Sequence, residues 1–153
     1  MATVVAILFN LVGAEHAYFG QKDAQQVMII QRMATDLALP TAVIACPTVR
    51  EADGLAMSSR NVHLTPEQRV AAGVLRRALL AGRAARDSGE RSAGAIRTAV
   101  QAELEREPLA ATEYVSVADA ATLEELERVE GPALVSVAVR FGSTRLIDNE
   151  PLA

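Results

Sequence analysis

The polar stretch over residues 47–61 holds the side chains best suited to chemistry. It contains two arginines, two adjacent hydroxyls, one glycine and one amide: Arg50, Arg60, Ser58, Ser59, Gly54 and Asn61. A short apolar run precedes this stretch and a strong helix start follows it, and loops anchored in this way often carry function. Hydroxyls beside a guanidinium suit an anion, because serine donates hydrogen bonds at short range and arginine offers a charged fork. A solvated turn around the glycine would have the same composition, so both interpretations stand.

A second polar segment, Gly20–Asp23, lies where a predicted strand ends and a predicted helix begins. A helix start offers unpaired N–H groups and a partial positive charge that suit phosphate, and Lys22 adds a full charge. Asp23 and Gln26 also have the spacing of a reciprocal helix cap, which would give both a structural role. The cap and the phosphate site are compatible with each other.

Periodicity predicts four elements before the first polar stretch: a helix over residues 3–13, a strand at Ala17–Phe19, a helix from Asp23 to just before Pro40, and a strand at Thr41–Cys46. Strand, helix and strand in this order are typical of a βαβ unit in a parallel sheet. Both polar segments follow strand ends, which meet at one edge of such a sheet, where ligands bind. We therefore expect a polyphosphate site with Lys22 on one side and Arg60 with two hydroxyls on the other.

The remaining chain predicts a different architecture. Thr65-Pro66-Glu67-Gln68 is a strong helix start, and that helix should bury Val70 and run to Ser88. Further elements are a helix from Ser92 to Pro108, strands at Tyr114–Ala118 and Ala133–Phe141, and a hairpin turn at Gly142–Ser143 leading into a strand at Thr144–Ile147. The sequence therefore predicts an α/β protein, with half of an α/β sheet over residues 1–64 and a small α+β domain of two helices and an antiparallel sheet over residues 65–153.

Bulk composition narrows the class of protein. The 153 residues are half hydrophobic, and a net charge of −4 disfavours a nucleic-acid surface. No apolar run approaches the roughly 18 residues that a membrane span needs. A single cysteine excludes an internal disulfide and the apolar opening lacks a basic leader, so we expect a cytoplasmic protein. His16 and His63 lie far apart without ligand neighbours, so we expect neither a metal site nor a catalytic histidine.

The two polar segments, with their surroundings, resemble motifs of the pantothenate synthetase (pantoate–β-alanine ligase) family. The similar stretches are Tyr18–Gln26 and Cys46–Asn61, within a close match over residues 4–64, and weaker similarity continues at Thr112–Ser116 and Arg140–Asn149. The segment Met57–Arg60 is also similar to the mobile Lys-Met-Ser-Lys-Ser loop of the nucleotidylyl-transferase superfamily. The resemblance thus implies a partial Rossmann-like nucleotidylyl-transferase sheet followed by a C-terminal lid domain.

The resemblance also implies a two-step ligation that uses ATP and Mg²⁺. Pantoate would be adenylated with release of pyrophosphate, and β-alanine would then displace AMP to give pantothenate. The implied ATP-binding residues are Gly20, Gln21, Lys22, Asp23, Val49, Met57, Ser58, Ser59 and Arg60. Among them, the implied catalytic residues are Lys22, Ser58, Ser59 and Arg60, and Gln26 would hold pantoate.

One departure from the family is large. The family's enzymes begin with a half that carries a His-x-Gly-His motif, and this sequence lacks that motif. We therefore expect that an upstream portion is missing or comes from a partner chain, and that this chain alone has little activity. A parallel sheet with an open flank would expose a strand edge and apolar surface, so we also expect self-association into a homo-oligomer.

Two alternatives accompany this interpretation. The chain could be a non-catalytic association module that keeps some nucleotide binding. It could also be a fragment of another nucleotidylyl transferase, such as an aminoacyl-tRNA synthetase. The acidic charge does not suit tRNA and residues 47–51 do not belong to that enzyme's motif, which disfavours the second alternative.

Overall fold

A computed structural model describes residues 1–152, which divide into two units, the first over Met1–Val49 and the second from Arg50 onward. The first unit contains helix α1 (Ala2–Val12), strand β1 (His16–Gly20), helix α2 (Ala24–Asp36) and strand β2 (Ala42–Cys46). The second contains helices α3 (Pro66–Ala71), α4 (Val74–Asp87) and α5 (Ala93–Leu104), then strands β3 (Ala111–Asp119), β4 (Ala133–Phe141) and β5 (Thr144–Leu152). Short 3-10 helices lie at Gln21–Asp23 and Ser59–His63.

The first unit is a βαβ unit preceded by a helix. β1 and β2 pair in parallel from His16↔Ala42 to Gly20↔Cys46, with α2 between them in the chain, which confirms the predicted parallel arrangement. α2 buries Val27, Ile30 and Ala34 at helical spacing, while Leu37, which continues the same spacing, is exposed because the helix ends just before it. The carboxyl ends of both strands lie at one edge of the two-stranded sheet.

Helix α1 packs through few of its apolar side chains. Phe9 is its buried residue, and the Phe9 ring meets that of Phe19 on β1 edge to face at 6.3 Å. The helix ends at Gly13, whose left-handed conformation lets its N–H donate to the Phe9 carbonyl. Five large apolar residues of α1 are more than half exposed: Val4, Ile7, Leu8, Leu11 and Val12.

In the second unit, helices α4 and α5 pack on the antiparallel sheet β3–β4–β5. The central strand β4 places Val135, Val137 and Val139 in the core, against helical residues that include Leu75, Leu79, Ile96 and Val100. The two helices approach closely at Gly82, where a Cβ would come within 2.6 Å of the Val100 side chain. This core confirms the predicted α+β architecture.

Two local predictions in this unit fail. The predicted single helix from Thr65 to Ser88 is two helices, because a turn at Ala72–Gly73 separates α3 from α4. That turn shifts the helical phase, so Val70 is 78% exposed and not buried, while Ala71 and Ala72 turn inward. The strands are also longer than predicted: β3 begins at Ala111 and β5 extends to Leu152.

The boundary between the two structural units lies after Val49. This is fifteen residues before the predicted functional boundary at residue 64. Residues 50–64 form their side-chain hydrogen bonds within the second unit, most strongly through Arg50 and Asp148. The assignment of residues 1–64 and 65–153 to separate functional domains stays a prediction.

Among residues 1–152, no helix combines the length and hydropathy needed to cross a bilayer.

Candidate functional site

The first group of predicted site residues lies at the carboxyl end of β1. The strand ends at Gly20, the 3-10 turn Gln21–Asp23 follows, and α2 begins directly after it at Ala24. Gly20 has an extended backbone conformation, and a Cβ built there would meet no heavy atom within 4 Å. The fold of this chain therefore does not itself require a glycine here, whereas a ligand that approaches the backbone closely would.

The reciprocal cap that the spacing of Asp23 and Gln26 allows does not form. Asp23 occupies the N-cap position of α2, but its side chain accepts no hydrogen bond from the helix start. The preceding 3-10 turn sets its backbone at φ −100° and ψ 61°, away from the extended conformation usual for a capping residue. Both side chains are exposed, so this surface presents a carboxylate and an amide beside the half-buried Lys22.

The second group lies in a loop whose base is tied to β5. Arg50 donates from both terminal nitrogens to the Asp148 carboxylate, at 2.6 and 3.1 Å, and also to the Gly54 carbonyl at 3.0 Å. The Asp148 side chain is only 1% exposed. Of the two arginines in the loop, Arg50 is therefore fully engaged in holding the loop in place.

The same loop contains a tight turn at Gly54. The turn has φ +87° at Gly54, and a hydrogen bond of 2.8 Å runs from the Glu51 N–H to the Leu55 carbonyl. Leu55 and the next residue are buried, so the turn packs onto the second unit. The Asp53 carboxylate pairs with Arg69, and this hydrogen-bonded guanidinium lowers the pKa of Asp53. The loop is thus an anchored structure up to residue 56, unlike a solvated turn.

Beyond the anchored part, the chain presents the predicted phosphate-binding residues. Met57, Ser59 and Arg60 are exposed and Ser58 is half-buried. Ser58 caps the 3-10 helix Ser59–His63, because its Oγ accepts from the Arg60 N–H at 3.2 Å. Within residues 1–152 the Arg60 guanidinium has no hydrogen bond or ion pair, in contrast to that of Arg50.

The structure therefore brings the site residues together in two sets. Within the first unit, one set lies at the end of β1 and the start of α2: Gly20, Gln21, Lys22, Asp23 and Gln26. Val49, 66% exposed, lies three residues beyond the end of β2 at the same edge of the sheet. Within the second unit, the other set is Met57, Ser58, Ser59 and Arg60. That the two sets meet around one ligand stays a prediction.

Sequence reasoning missed the role of Arg50. Its partner Asp148 is 98 residues away, and no local spacing connects them. It also missed the pair of arginines, Arg76 and Arg83, that holds Glu150 on β5. Burial raises the pKa of Glu150, but the two hydrogen-bonded guanidinium groups outweigh it, so its pKa lies below the ordinary value.

Among the described residues, no group of three or more His, Cys, Asp or Glu could hold a metal ion.

A parallel βαβ unit with polar strand ends, followed by helices on an antiparallel three-stranded sheet, defines a mixed α/β protein. The chain belongs to the pantoate-beta-alanine ligase family, whose sequence model matches residues 1–151. This confirms the family inferred from the two motifs.

Similar proteins support the assignment along nearly the whole chain. The pantothenate synthetase of Roseiflexus castenholzii is 57% identical over 149 residues, which cover 97% of this chain and 54% of that protein. A crystal structure of pantothenate synthetase from Thermus thermophilus has a TM-score of 0.93 at 46% identity, covering 97% of this chain and 54% of that one. The chain thus spans about half the length of these relatives.

A less similar structure in the same family was solved with bound ligands. The pantoate-beta-alanine ligase of Francisella tularensis, crystallised with beta-gamma ATP and beta-alanine, has a TM-score of 0.66 at 26% identity. The match covers 97% of this chain and 48% of that one.

Proposed function

We propose that this chain takes part in the ATP-dependent joining of pantoate and β-alanine to pantothenate. The observation that carries the proposal is the Arg60 guanidinium, which has no partner within residues 1–152 and stands beside two serine hydroxyls on an anchored loop. A cation and hydroxyl donors held in this way suit the phosphates of ATP. Membership of the pantoate-beta-alanine ligase family supplies the identity of the two acceptor substrates.

The proposed first step is adenylation of pantoate. A pantoate carboxylate oxygen attacks the α-phosphorus of ATP, and the bond from that phosphorus to the pyrophosphate oxygen breaks. Lys22 from the first unit would neutralise charge on the phosphates, and Arg60 with Ser58 and Ser59 would do so from the second. Such groups accelerate phosphoryl chemistry because they are already oriented where charge develops.

The proposed second step is attack by the β-alanine amine on the acyl carbon of pantoyl adenylate. The bond from that carbon to the AMP oxygen breaks, the amine loses a proton, and pantothenate and AMP are released. Gln26, exposed on the first turn of α2, would hold pantoate through its amide. Gly20–Asp23 would line the nucleotide, Val49 would contact the adenine, and Met57 would help to close over the triphosphate.

We assign Mg²⁺ to the substrate, as the Mg-ATP complex. The described residues offer no group of three metal-ligating side chains, and Mg²⁺ commonly relies on phosphates with one or two carboxylates. Asp23 is an exposed carboxylate next to Lys22 and would be available to such a complex.

Calorimetric titration with Mg-ATP tests the nucleotide site. We expect the wild-type chain to bind, and Lys22→Ala and Arg60→Ala each to weaken binding by roughly tenfold or more, since each removes a charge-assisted contact. Arg128→Ala is the matched control, because it removes an equal charge from an exposed pair with Glu130. If a folded chain did not bind Mg-ATP, or if the control lost as much affinity, this nucleotide site would be refuted.

The alternative is an association module that binds nucleotide without ligating substrates. Pantothenate formation from pantoate, β-alanine and Mg-ATP separates the two functions. Product formation that falls in Arg60→Ala would support the ligase, and nucleotide binding with no product would support the module.

A further inference from the structure

Asn61 follows the second set of site residues directly and has no part in the proposed chemistry. Its side-chain Nδ2 donates to the Ala56 carbonyl at 3.1 Å, five residues back along the chain. The residues between these two are the whole second set: Met57, Ser58, Ser59 and Arg60. One side-chain hydrogen bond thus joins the two ends of the segment that carries this set.

The Ala56 end of the segment is fixed by the fold. Ala56 is 1% exposed, and it pairs in an isolated antiparallel bridge with Arg50, whose guanidinium is held by Asp148. The carbonyl of so buried a residue needs a donor within the protein, because water cannot supply one. The Asn61 amide meets that need, so the far end of the segment is tied to an anchored residue.

Two backbone donors continue the connection as far as Arg60. The Asn61 N–H donates to the Ser58 carbonyl at 3.1 Å, and the Arg60 N–H donates to the Ser58 Oγ at 3.2 Å. These contacts define the backbone at Arg60 and hence the direction in which its side chain leaves the chain. The guanidinium makes no hydrogen bond or ion pair within residues 1–152, so its placement depends on this backbone.

The other polar atom of the Asn61 amide opposes the stability of the fold. Oδ1 is buried and has no hydrogen-bond partner among the described residues. An unpaired buried acceptor is destabilising and offsets the bond that Nδ2 makes. The net effect of this side chain on unfolding of the whole chain should therefore be small, while its effect on the segment 57–60 should be large.

We propose that Asn61 is a positioning residue, which closes the segment 57–60 and holds the backbone of Arg60 in one orientation. A segment that is ordered before binding loses less conformational entropy when a ligand arrives, so closure raises affinity without a contact to the ligand. The use of this order in binding Mg-ATP rests on the proposed function. The closure itself does not.

Backbone ¹⁵N relaxation of the whole chain, without ligand, tests the closure. In the wild type we expect order parameters of about 0.85 at residues 57–60, as in a rigid backbone, and Asn61→Ala should lower them below about 0.6. Asn61→Leu should do the same while filling a similar volume, so that a cavity is not the cause. In both variants Tm should stay within a few degrees of the wild type, because the unpaired Oδ1 is removed as well.

Asn10→Ala is the matched control, since it removes the same kind of bond, from the Asn10 Nδ2 to the Ala6 carbonyl on α1. It should leave the order parameters of residues 57–60 unchanged. Order parameters below about 0.6 in the wild type, or no change at this segment in either folded Asn61 variant, would overturn the inference.

Mg-ATP titrations show whether the closure acts through Arg60. We expect Asn61→Ala to raise the Kd roughly threefold to tenfold, and Asn61→Ala/Arg60→Ala to bind no more weakly than Arg60→Ala alone. Equal losses with and without Arg60 would refute the positioning role. If Asn61 ordered the segment in a wild-type chain that did not bind Mg-ATP, the proposed function would fail while the closure held.

Discussion

Replacing Arg50 with alanine would leave the Asp148 carboxylate buried without its charge partner. That carboxylate is 1% exposed and accepts two hydrogen bonds from Arg50, which also donates to the Gly54 carbonyl in the turn of the loop. Removal of one partner from a buried ion pair typically costs about 3–5 kcal/mol. We expect a loss of that size, because water reaches the Asp148 side chain poorly and cannot replace the guanidinium.

The assay is thermal and denaturant unfolding of the purified chain, followed by circular dichroism. For a unit of roughly 100 residues, a loss of 3–5 kcal/mol corresponds to a fall in Tm on the order of 20 °C. Arg106→Ala provides the control, since its pair with Glu103 is exposed on the arginine side and should contribute less than about 1 kcal/mol.

A double-mutant cycle separates the charge from the packing. In Arg50→Ala/Asp148→Asn the buried carboxylate becomes a neutral amide, so the double variant should be more stable than Arg50→Ala alone. If Arg50→Ala lost less than about 1 kcal/mol, or if Asp148→Asn gave no rescue, the Arg50–Asp148 pair would not be the anchor of the loop.

Three further outcomes are expected. Gly54→Ala should destabilise the chain by about 1–3 kcal/mol, because the position has φ +87° and the new Cβ would lie 2.7 Å from the Arg76 Cγ; an unchanged denaturation midpoint would contradict this. The lowered pKa of Glu150 contributes stability that is complete above its ordinary value of 4.5 and is lost as pH falls through the lower folded value, so Glu150→Gln should flatten the fall in stability as the pH is lowered below 4.5. The exposed apolar face of α1 predicts self-association, which Leu11→Glu should reduce in light scattering at micromolar concentration; a wild-type monomer would refute it.

Local chemistry set much of the secondary structure, which is why those elements could be predicted. Thr65 and Gln68 form the capping box that their spacing indicates, and Ser92 caps α5 through the Ala95 N–H. Alternating apolar residues placed β4 at Ala133–Phe141, and the flexible backbone of Gly142 placed the turn after it. Each of these features depends on residues within a few positions of one another.

Predictions failed where the outcome depended on how elements pack. Val70 follows the helical period of its neighbours, but the turn at Ala72–Gly73 rotates it to the surface. Asp23 and Gln26 have the spacing of a cap, yet the 3-10 turn before α2 gives Asp23 a backbone conformation in which its side chain does not cap. In both places a short irregular turn overrode a local pattern.

The sequence by itself determined the family, through two long motifs, and the βαβ order that places their polar residues after strand ends. Only the tertiary structure decided which arginine of the loop is paired with a buried carboxylate. Arg50 and Arg60 are the same residue type ten positions apart, but burial of Asp148 on β5 makes an unpaired carboxylate there too costly, and Arg50 supplies its partner. Arg60 lies in the exposed part of the same loop, where no buried carboxylate needs a partner, and its guanidinium makes no ion pair within residues 1–152.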